Sequence, residues 1–272
     1  MVAHDSDWQM AEAWTLEEAI ANIQQTEDLG KRYYAAWWFG RFRVTDQRAI
    51  SALVDALKDE RDRSPDGGYP LRRNAAKALG KLDNPAVVEP LIDCLESDDY
   101  YVRESAAQSL ELLKDERAIA PLRKLLTGGV EAAILKEGKP HYVQPYEAIV
   151  EALGAIGATE AISEIEVFLG HEAEKIRYAT LRAMYQLTGK ATYAERLIEA
   201  LGGDTLQLRR SALMDLGAIG YVPAGQAIAD TLAENSLKLI SMKGLVETHL
   251  ANVDHTLDAD ADNLLQLMDS LL

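Results

Sequence analysis

"LRRNAAKALGKLDNPAVVEPLIDCL", residues 71–95, and "VRESAAQSLELLKDERAIAPLRKLL", residues 102–126, are two versions of one unit. In each, a basic residue opens a run of small residues and Leu follows seven positions later. A second segment, with apolar residues spaced by three and four, completes the unit as an amphipathic helix.

The first half of the unit recurs outward in both directions without gaps: "RYYAAWWFG" from Arg32, "YEAIVEALG" from Tyr146, "RYATLRAMY" from Arg177 and "RRSALMDLG" from Arg209, with "KLISMKGLV" from Lys238 as a weaker copy. The second half recurs in "DQRAISALVDAL", "ATEAISEIEVFL" and "KATYAERLIEAL". Asn84 before Pro85 is a start signal, because the Asn side chain caps free N–H groups and proline loses nothing at the first helical position. Gly40, Gly80, Gly154 and Gly217 suit helix ends or close approach to the next helix. The strong anchors, at positions 32, 72, 103, 146, 177 and 209, are separated by 40, 31, 43, 31 and 32 residues. Two helices of this length cannot bury their apolar faces alone, so they must stack. The expectation is an all-α, right-handed α-solenoid of six to seven helical hairpins. It runs as a single domain over residues 1–250, with hairpins from about residue 15, and an acidic amphipathic helix follows over 251–272.

Composition narrows the function. With 28 Lys plus Arg against 44 Asp plus Glu, the formal charge is −16. Such a field repels nucleic-acid phosphate and anionic lipid. No stretch approaches the roughly 20 apolar residues of a membrane span, and the opening "MVAHDSDWQM" lacks the features of a secretory leader, so a cytoplasmic location is expected. Cys94 is the only cysteine, which excludes an internal disulfide; its setting in "PLIDCLES" reads as core.

The two long separations carry extra residues, "DERDRSPDGGYP" at 59–70 and "TGGVEAAILKEGKPHYVQP" at 127–145. Insertions at equivalent places emerge on one edge of a solenoid, so the two loops are expected to flank a single candidate site. On the Arg-bearing helices, the residues one and five places after each anchor form an i, i+4 pair pointing away from the packed side. In the first repeat these are Tyr33 and Trp37, extended by Arg41; in the second, Arg73 and Lys77, extended by Lys81. Trp38 and Phe39 fall at positions held elsewhere by small residues and Leu, and are expected to pack inward. Rings such as Tyr33, Trp37 and Tyr69 beside Arg73, Lys77 and Lys81 suit a large planar anionic ligand or a protein partner.

Catalytic patterns are sparse. There is no glycine-rich phosphate loop and no paired-His metal motif. Solenoids that act as di-iron hydroxylases use recurrent His-Glu pairs, and here only His171-Glu172 occurs, so no metal site is expected. His141 and Tyr142, on the second insertion, are the acid–base candidates by position.

The repeats quoted above resemble the HEAT-like repeats named after phycobilisome lyases. More specifically, "YYAAWWFGRFRV" at 33–44 with "RAISALVDAL", together with the loops in "DRSPDGGYPLRRNAAKALGKL" and "EGKPHYVQPYEAIVEALG", resembles the E-type subunits of phycocyanobilin lyases over nearly the whole chain. The resemblance implies a heterodimer with an F-type subunit that joins phycocyanobilin, through a thioether, to a cysteine of the phycocyanin α subunit. It implies no permanently bound cofactor, with phycocyanobilin as substrate. A related pair acts on the phycoerythrocyanin α chain and also isomerises the bilin to phycoviolobilin. A non-catalytic repeat scaffold is the reading from a different class. In "HTLDADADNLLQLMDSLL", Leu257, Ala261, Leu264, Met268 and Leu271 make one apolar face. It serves either as a cap on the last repeat or, through Leu264, Met268 and Leu271, as a dock for the F-type subunit.

Overall fold

The computed structural model describes residues 14–272; the N-terminal stretch read for a leader lies outside the described residues. The described chain is helical with short 3-10 turns, and its extended pairing is one isolated bridge, Leu135 to Tyr142. It divides into two compact units, Met1–Thr127 with Ala132–Ala152, and Gly128–Glu131 with Leu153–Leu272.

The first unit holds α1 (Leu16–Gln24), α2 (Leu29–Arg41), α3 (Gln47–Ala56), α4 (Pro70–Leu79), α5 (Val88–Cys94), α6 (Tyr100–Leu113) and α7 (Ile119–Leu125). One-turn α8 (Gly129–Ala132) follows, and the boundary between the units falls inside α9 (Tyr146–Ile156). The second unit continues with α10 (Ile162–Glu166), α11 (Glu174–Thr188), α12 (Ala191–Ala200), α13 (Leu206–Ile219), α14 (Gly225–Asp230), α15 (Asn235–Asn252) and α16 (Ala259–Asp269). The Arg-bearing helices pack on one another in sequence, α2 on α4 on α6 in the first unit and α11 on α13 on α15 in the second. Asn84 accepts from the Ala86 N–H at 2.9 Å and Pro85 opens the turn that leads into α5, as the sequence indicated.

The anchors have a structural use that the repeat pattern alone did not disclose. A helix leaves its last carbonyls without intrahelical partners. Each anchor donates to carbonyls at or just past the end of the helix before it: Arg32 to Ile23 at 3.1 Å, Arg72 to Asp59 at 2.5 Å, Arg103 to Ser97 at 2.6 Å, Arg177 to His171 and Glu172 at 2.8 Å. In the last repeats Arg209 reaches Gly203 at 2.6 Å and Lys238 reaches Ala229 at 2.8 Å. Where the fourth repeat has Tyr146, its hydroxyl donates to Ala132 at 3.1 Å and does the same work.

Gly80 and Gly154 are sites of close approach. A Cβ on Gly80 would stand 2.5 Å from the Ser109 side chain on α6, and one on Gly154 would stand 2.6 Å from the Ala183 Cα on α11. Gly80 has φ of −60°, so contact and not backbone freedom explains it. His171 is 2% exposed and its Nδ1 accepts from the Ala173 N–H at 3.0 Å.

Candidate functional site

Asp28 starts α2 by accepting from the Lys31 N–H at 3.0 Å. Phe39 is fully buried and Trp38 is 8% exposed, packed edge-on to Phe39 at 5.7 Å and tilted on Phe42 at 5.1 Å. Tyr33 is 41% exposed and Trp37 half-buried. Arg41, Lys77 and Lys81 are exposed. The neighbouring helix is tied on by Asn74, whose amide donates to the Tyr33 carbonyl at 2.8 Å. Lys81 runs beside Gly40. The exposed Tyr33 and half-buried Trp37 of α2, and the cations on and just after α4, therefore belong to two helices packed on one another.

Tyr69 and Arg73, expected in this group, are turned elsewhere. Tyr69 is a correction: it is 7% exposed, with the Arg63 guanidinium 4.1 Å and the Arg72 guanidinium 3.8 Å from its ring centroid. Two cations of its own chain lie over this buried ring, so it offers little surface to a ligand. Arg73 pairs with buried Asp99, Nε at 2.9 Å and Nη2 at 2.8 Å, and its guanidinium lies over the Tyr101 ring at 4.5 Å. Asp99 also accepts from the N–H groups of Tyr69 at 2.7 Å and Tyr101 at 2.8 Å. Arg73 is therefore a bridge from α4 to the start of α6, and a side chain on Gly68 would collide with it.

Beyond Arg73 the two insertions meet, in the arrangement that their equivalent places in the repeat lead one to expect. Asp66, Gly67 and Gly68 of the first, and Lys136 with Gly138, Lys139, Pro140 and His141 of the second, line one cleft with Asp98, Asp99, Tyr100 and Tyr101; its volume is about 390 Å3. The second insertion is a tight hairpin: Lys136 donates to the His141 carbonyl at 2.9 Å, Val143 to Ile134 at 3.0 Å, and Gly138 takes a φ of 68° at the turn. Arg103 fastens its base, donating to Val143 at 2.8 Å and to Gln144 at 2.9 Å. His141 stacks on Tyr100 with centroids 4.1 Å apart and planes 17° apart, and meets Tyr101 edge-on at 5.7 Å. Burial, with Glu104 and Glu147 nearby, pushes the Tyr100 phenol above its ordinary pKa. The Ser64 hydroxyl and the Asp66 N–H, with the charges of Arg73 and Lys139, hold the Asp66 carboxyl below the usual carboxylate range.

Of the acid–base candidates, His141 belongs to this cleft, its Nδ1 2.8 Å from the Tyr142 carbonyl. Tyr142 points the other way along the hairpin and meets Tyr146 edge-on at 6.4 Å. The pair is thus split between two surroundings. Tyr100, Tyr101, Asp99, Lys136 and Lys139 were not singled out from the sequence. The available signal was "DDYYVRE", a tyrosine pair just ahead of an anchor and on the same edge as both insertions.

The apolar face of α16 is also corrected. Leu264 is 1% exposed within the second unit's core, against Gly225, and Met268 and Leu271 pack on the same cluster. Asp258 caps α16 through the Ala261 N–H at 3.0 Å and meets His249 of α15 at 2.8 Å. Leu264 is therefore spent on the chain's own last repeat, while Met268 and Leu271 pack on the same core and stay partly exposed.

The comparisons with known proteins agree with this architecture. Residues 31–59 match the PBS lyase HEAT-like repeat and residues 62–138 match HEAT repeats. The "Phycocyanobilin lyase subunit alpha" of Picosynechococcus sp. (strain ATCC 27264 / PCC 7002 / PR-6) is 75% identical, covering 98% of this chain and 100% of its own. A chain in the structure of the complex of CpcE and CpcF of phycocyanin lyase from Nostoc sp. PCC7120 is 54% identical with a TM-score of 0.90, covering 100% of this chain and 98% of that one. More distant is the "Bilin biosynthesis protein PecE" of Nostoc sp. (strain PCC 7120 / SAG 25.82 / UTEX 2576), 44% identical over 87% of this chain and 88% of its own. Identity of this degree over essentially the whole length leaves one conclusion: the chain belongs to the family of phycocyanobilin lyase alpha subunits.

Proposed function

We propose that this chain is the E-type subunit of a heterodimeric bilin lyase. With an F-type partner it attaches phycocyanobilin to a cysteine of the phycocyanin α subunit. The observation that carries the reading is the 75% identity to a phycocyanobilin lyase alpha subunit across 98% of the chain. Identity to the PecE relative is 44%, which favours simple attachment over the lyase-isomerase alternative that makes phycoviolobilin on phycoerythrocyanin α.

The reaction is an addition. The acceptor's S–H adds across the ethylidene double bond of the bilin: the C–S bond forms, the proton ends on the neighbouring carbon, and nothing leaves. The nucleophile comes from the acceptor. Cys94 fits no part of this, being 7% exposed with its thiol pushed up by burial to about 11. What the lyase supplies is orientation, which holds the two reactants in one productive geometry. Phycocyanobilin is a substrate that passes through, with no permanently bound cofactor. Tyr33 and Trp37 provide ring surface for the bilin or the protein presenting it, and Arg41, Lys77 and Lys81 provide positive charge that draws an anionic bilin, or an acidic surface of the protein presenting it, onto that face. No helix among the described residues is long and apolar enough to cross a membrane. We place the work in the cytoplasm, where the acceptor is assembled.

The test is co-expression of this chain with and without an F-type partner, in a host that makes phycocyanobilin and the phycocyanin α subunit, followed by absorption of the purified acceptor in acid urea. Blue covalent pigment only with both chains is the expected result. A violet product moves the assignment to the lyase-isomerase, and a colourless acceptor with every partner leaves the scaffold reading. K77A/K81A is expected to cut attachment at low bilin about tenfold, the cost of losing one charge-assisted contact.

A further inference from the structure

The basic residues of this acidic chain are mostly engaged: the anchors on backbone carbonyls, and Arg48, Arg117, Lys124, Arg210 and Lys243 on carboxylates. Arg41, Lys77 and Lys81 are among the exceptions, and so are Lys136 and Lys139. Both are exposed on the rigid hairpin turn, both line the cleft, and neither forms an ion pair among the described residues. Facing them is a flat wall made by the Tyr100–His141 stack, and at the inner end is Tyr101 beneath Arg73. The cleft's 390 Å3 lies near the lower end of the range for small-molecule pockets, roughly 300–1,000 Å3, so it holds part of a four-ring ligand and not the whole.

We propose that this cleft is a subsite for the propionate-bearing part of the bilin. In it, Lys136 and Lys139 hold the carboxylates, and the Tyr100–His141 wall lies against a pyrrole ring. The proposal rests on the lyase reading and names where that substrate is gripped. Continuity supports it: Arg73 and Lys77 lie four residues apart on α4, a step of about 6 Å, and Lys81 follows four residues later in the turn just past its end. The exposed stripe beside Tyr33 and Trp37 therefore leads into the cleft within roughly two turns. The lining is of mixed charge, with Asp66 and Asp98 on it as well as the lysines. A simple anion gains little there. A bilin offers carboxylate arms to the lysines and pyrrole N–H groups to the carboxylates, so it uses both signs. Asp99 is not available for that role, because its oxygens are taken by Arg73 and two backbone N–H groups.

The experiment is absorption titration of the heterodimer with phycocyanobilin and with its dimethyl ester, using wild type and K136Q/K139Q, alongside attachment assays. Wild type is expected to bind the diacid at least tenfold more tightly than the ester. In the variant the diacid falls to the ester's affinity, the ester is unchanged, and attachment drops at subsaturating bilin. Equal binding of acid and ester by wild type, or wild-type diacid affinity in the variant, overturns the subsite while leaving the lyase reading standing. A wild-type heterodimer that neither binds nor attaches the bilin overturns both. Both lysines are solvent-exposed, and an unchanged melting temperature of the variant excludes misfolding as the cause.

Discussion

The Tyr100 ring lies nearly flat on the His141 imidazole, centroids 4.1 Å apart, and joins the start of α6 to the tip region of an insertion 41 residues later. That stack, with the Arg103 clamp at the hairpin's base, fixes a loop that would otherwise be free to move. It turns two separate insertions into one wall.

H141A is expected to loosen the hairpin. An aromatic pair contributes about 0.5–1.5 kcal/mol beyond its buried area. Amide hydrogen exchange over residues 134–143 should quicken about tenfold in H141A and stay near wild type in H141F, with little change in α2 to α4. Uniform exchange in both variants would mean that the stack does not hold the loop.

Asp99 is the hinge of the site's inner end. D99A leaves the Arg73 guanidinium without its carboxylate and two N–H groups without an acceptor. Breaking a fully buried pair from one side costs about 3–5 kcal/mol, and with Arg73 25% exposed the loss here should lie below that. The urea midpoint should fall accordingly, and D99N should recover only part of the loss, since it keeps the shape but not the charge. A D99A midpoint equal to wild type would show the pair to be idle.

Gly80 and Gly170 separate contact from composition. G80A drives a methyl into Ser109, and overpacking of this kind costs about 1–3 kcal/mol; a Cβ on Gly170 meets nothing within 4 Å, so G170A is expected to be neutral. Paired denaturation curves decide this, and equal losses would refute the close-approach account.

The Arg32–Asp59 pair, 2.7 Å apart with both side chains buried, makes stability depend on acid. Burial acts to raise the Asp59 pKa, but the hydrogen bond from Arg32, the Asp62 and Arg61 N–H groups and the Arg32 charge outweigh it and hold the carboxyl below the usual range. A depressed folded value means that the contribution is whole above the unfolded value, about 3.9, and is lost as pH falls through the folded one. The urea midpoint should therefore decline below about pH 4, and the decline should be shallower in R32Q. An identical slope in R32Q would remove the pair as its source.

Leu264 tests the role of α16. L264A should lower the stability of the second unit by about 2–5 kcal/mol, the cost of emptying a buried leucine site, while association with the F-type subunit persists at temperatures where the variant is folded. Loss of association with unchanged stability would restore the docking role.

Periodicity alone determined the hairpin repeats, their register, the inward packing of Trp38 and Phe39, and the edge on which both insertions emerge. These follow from which residues recur at helical spacing, a local property of the chain. The tertiary structure decided how individual charges and rings are spent. Arg73 meets Asp99 across 26 residues, Tyr69 lies between Arg63 and Arg72, Tyr100 meets His141, and Leu264 closes its own core. A long side chain at an outward-facing position can turn to solvent, to a carbonyl or to a carboxylate on the next helix at similar local cost. Only the neighbours that the fold brings within about 4 Å select among these.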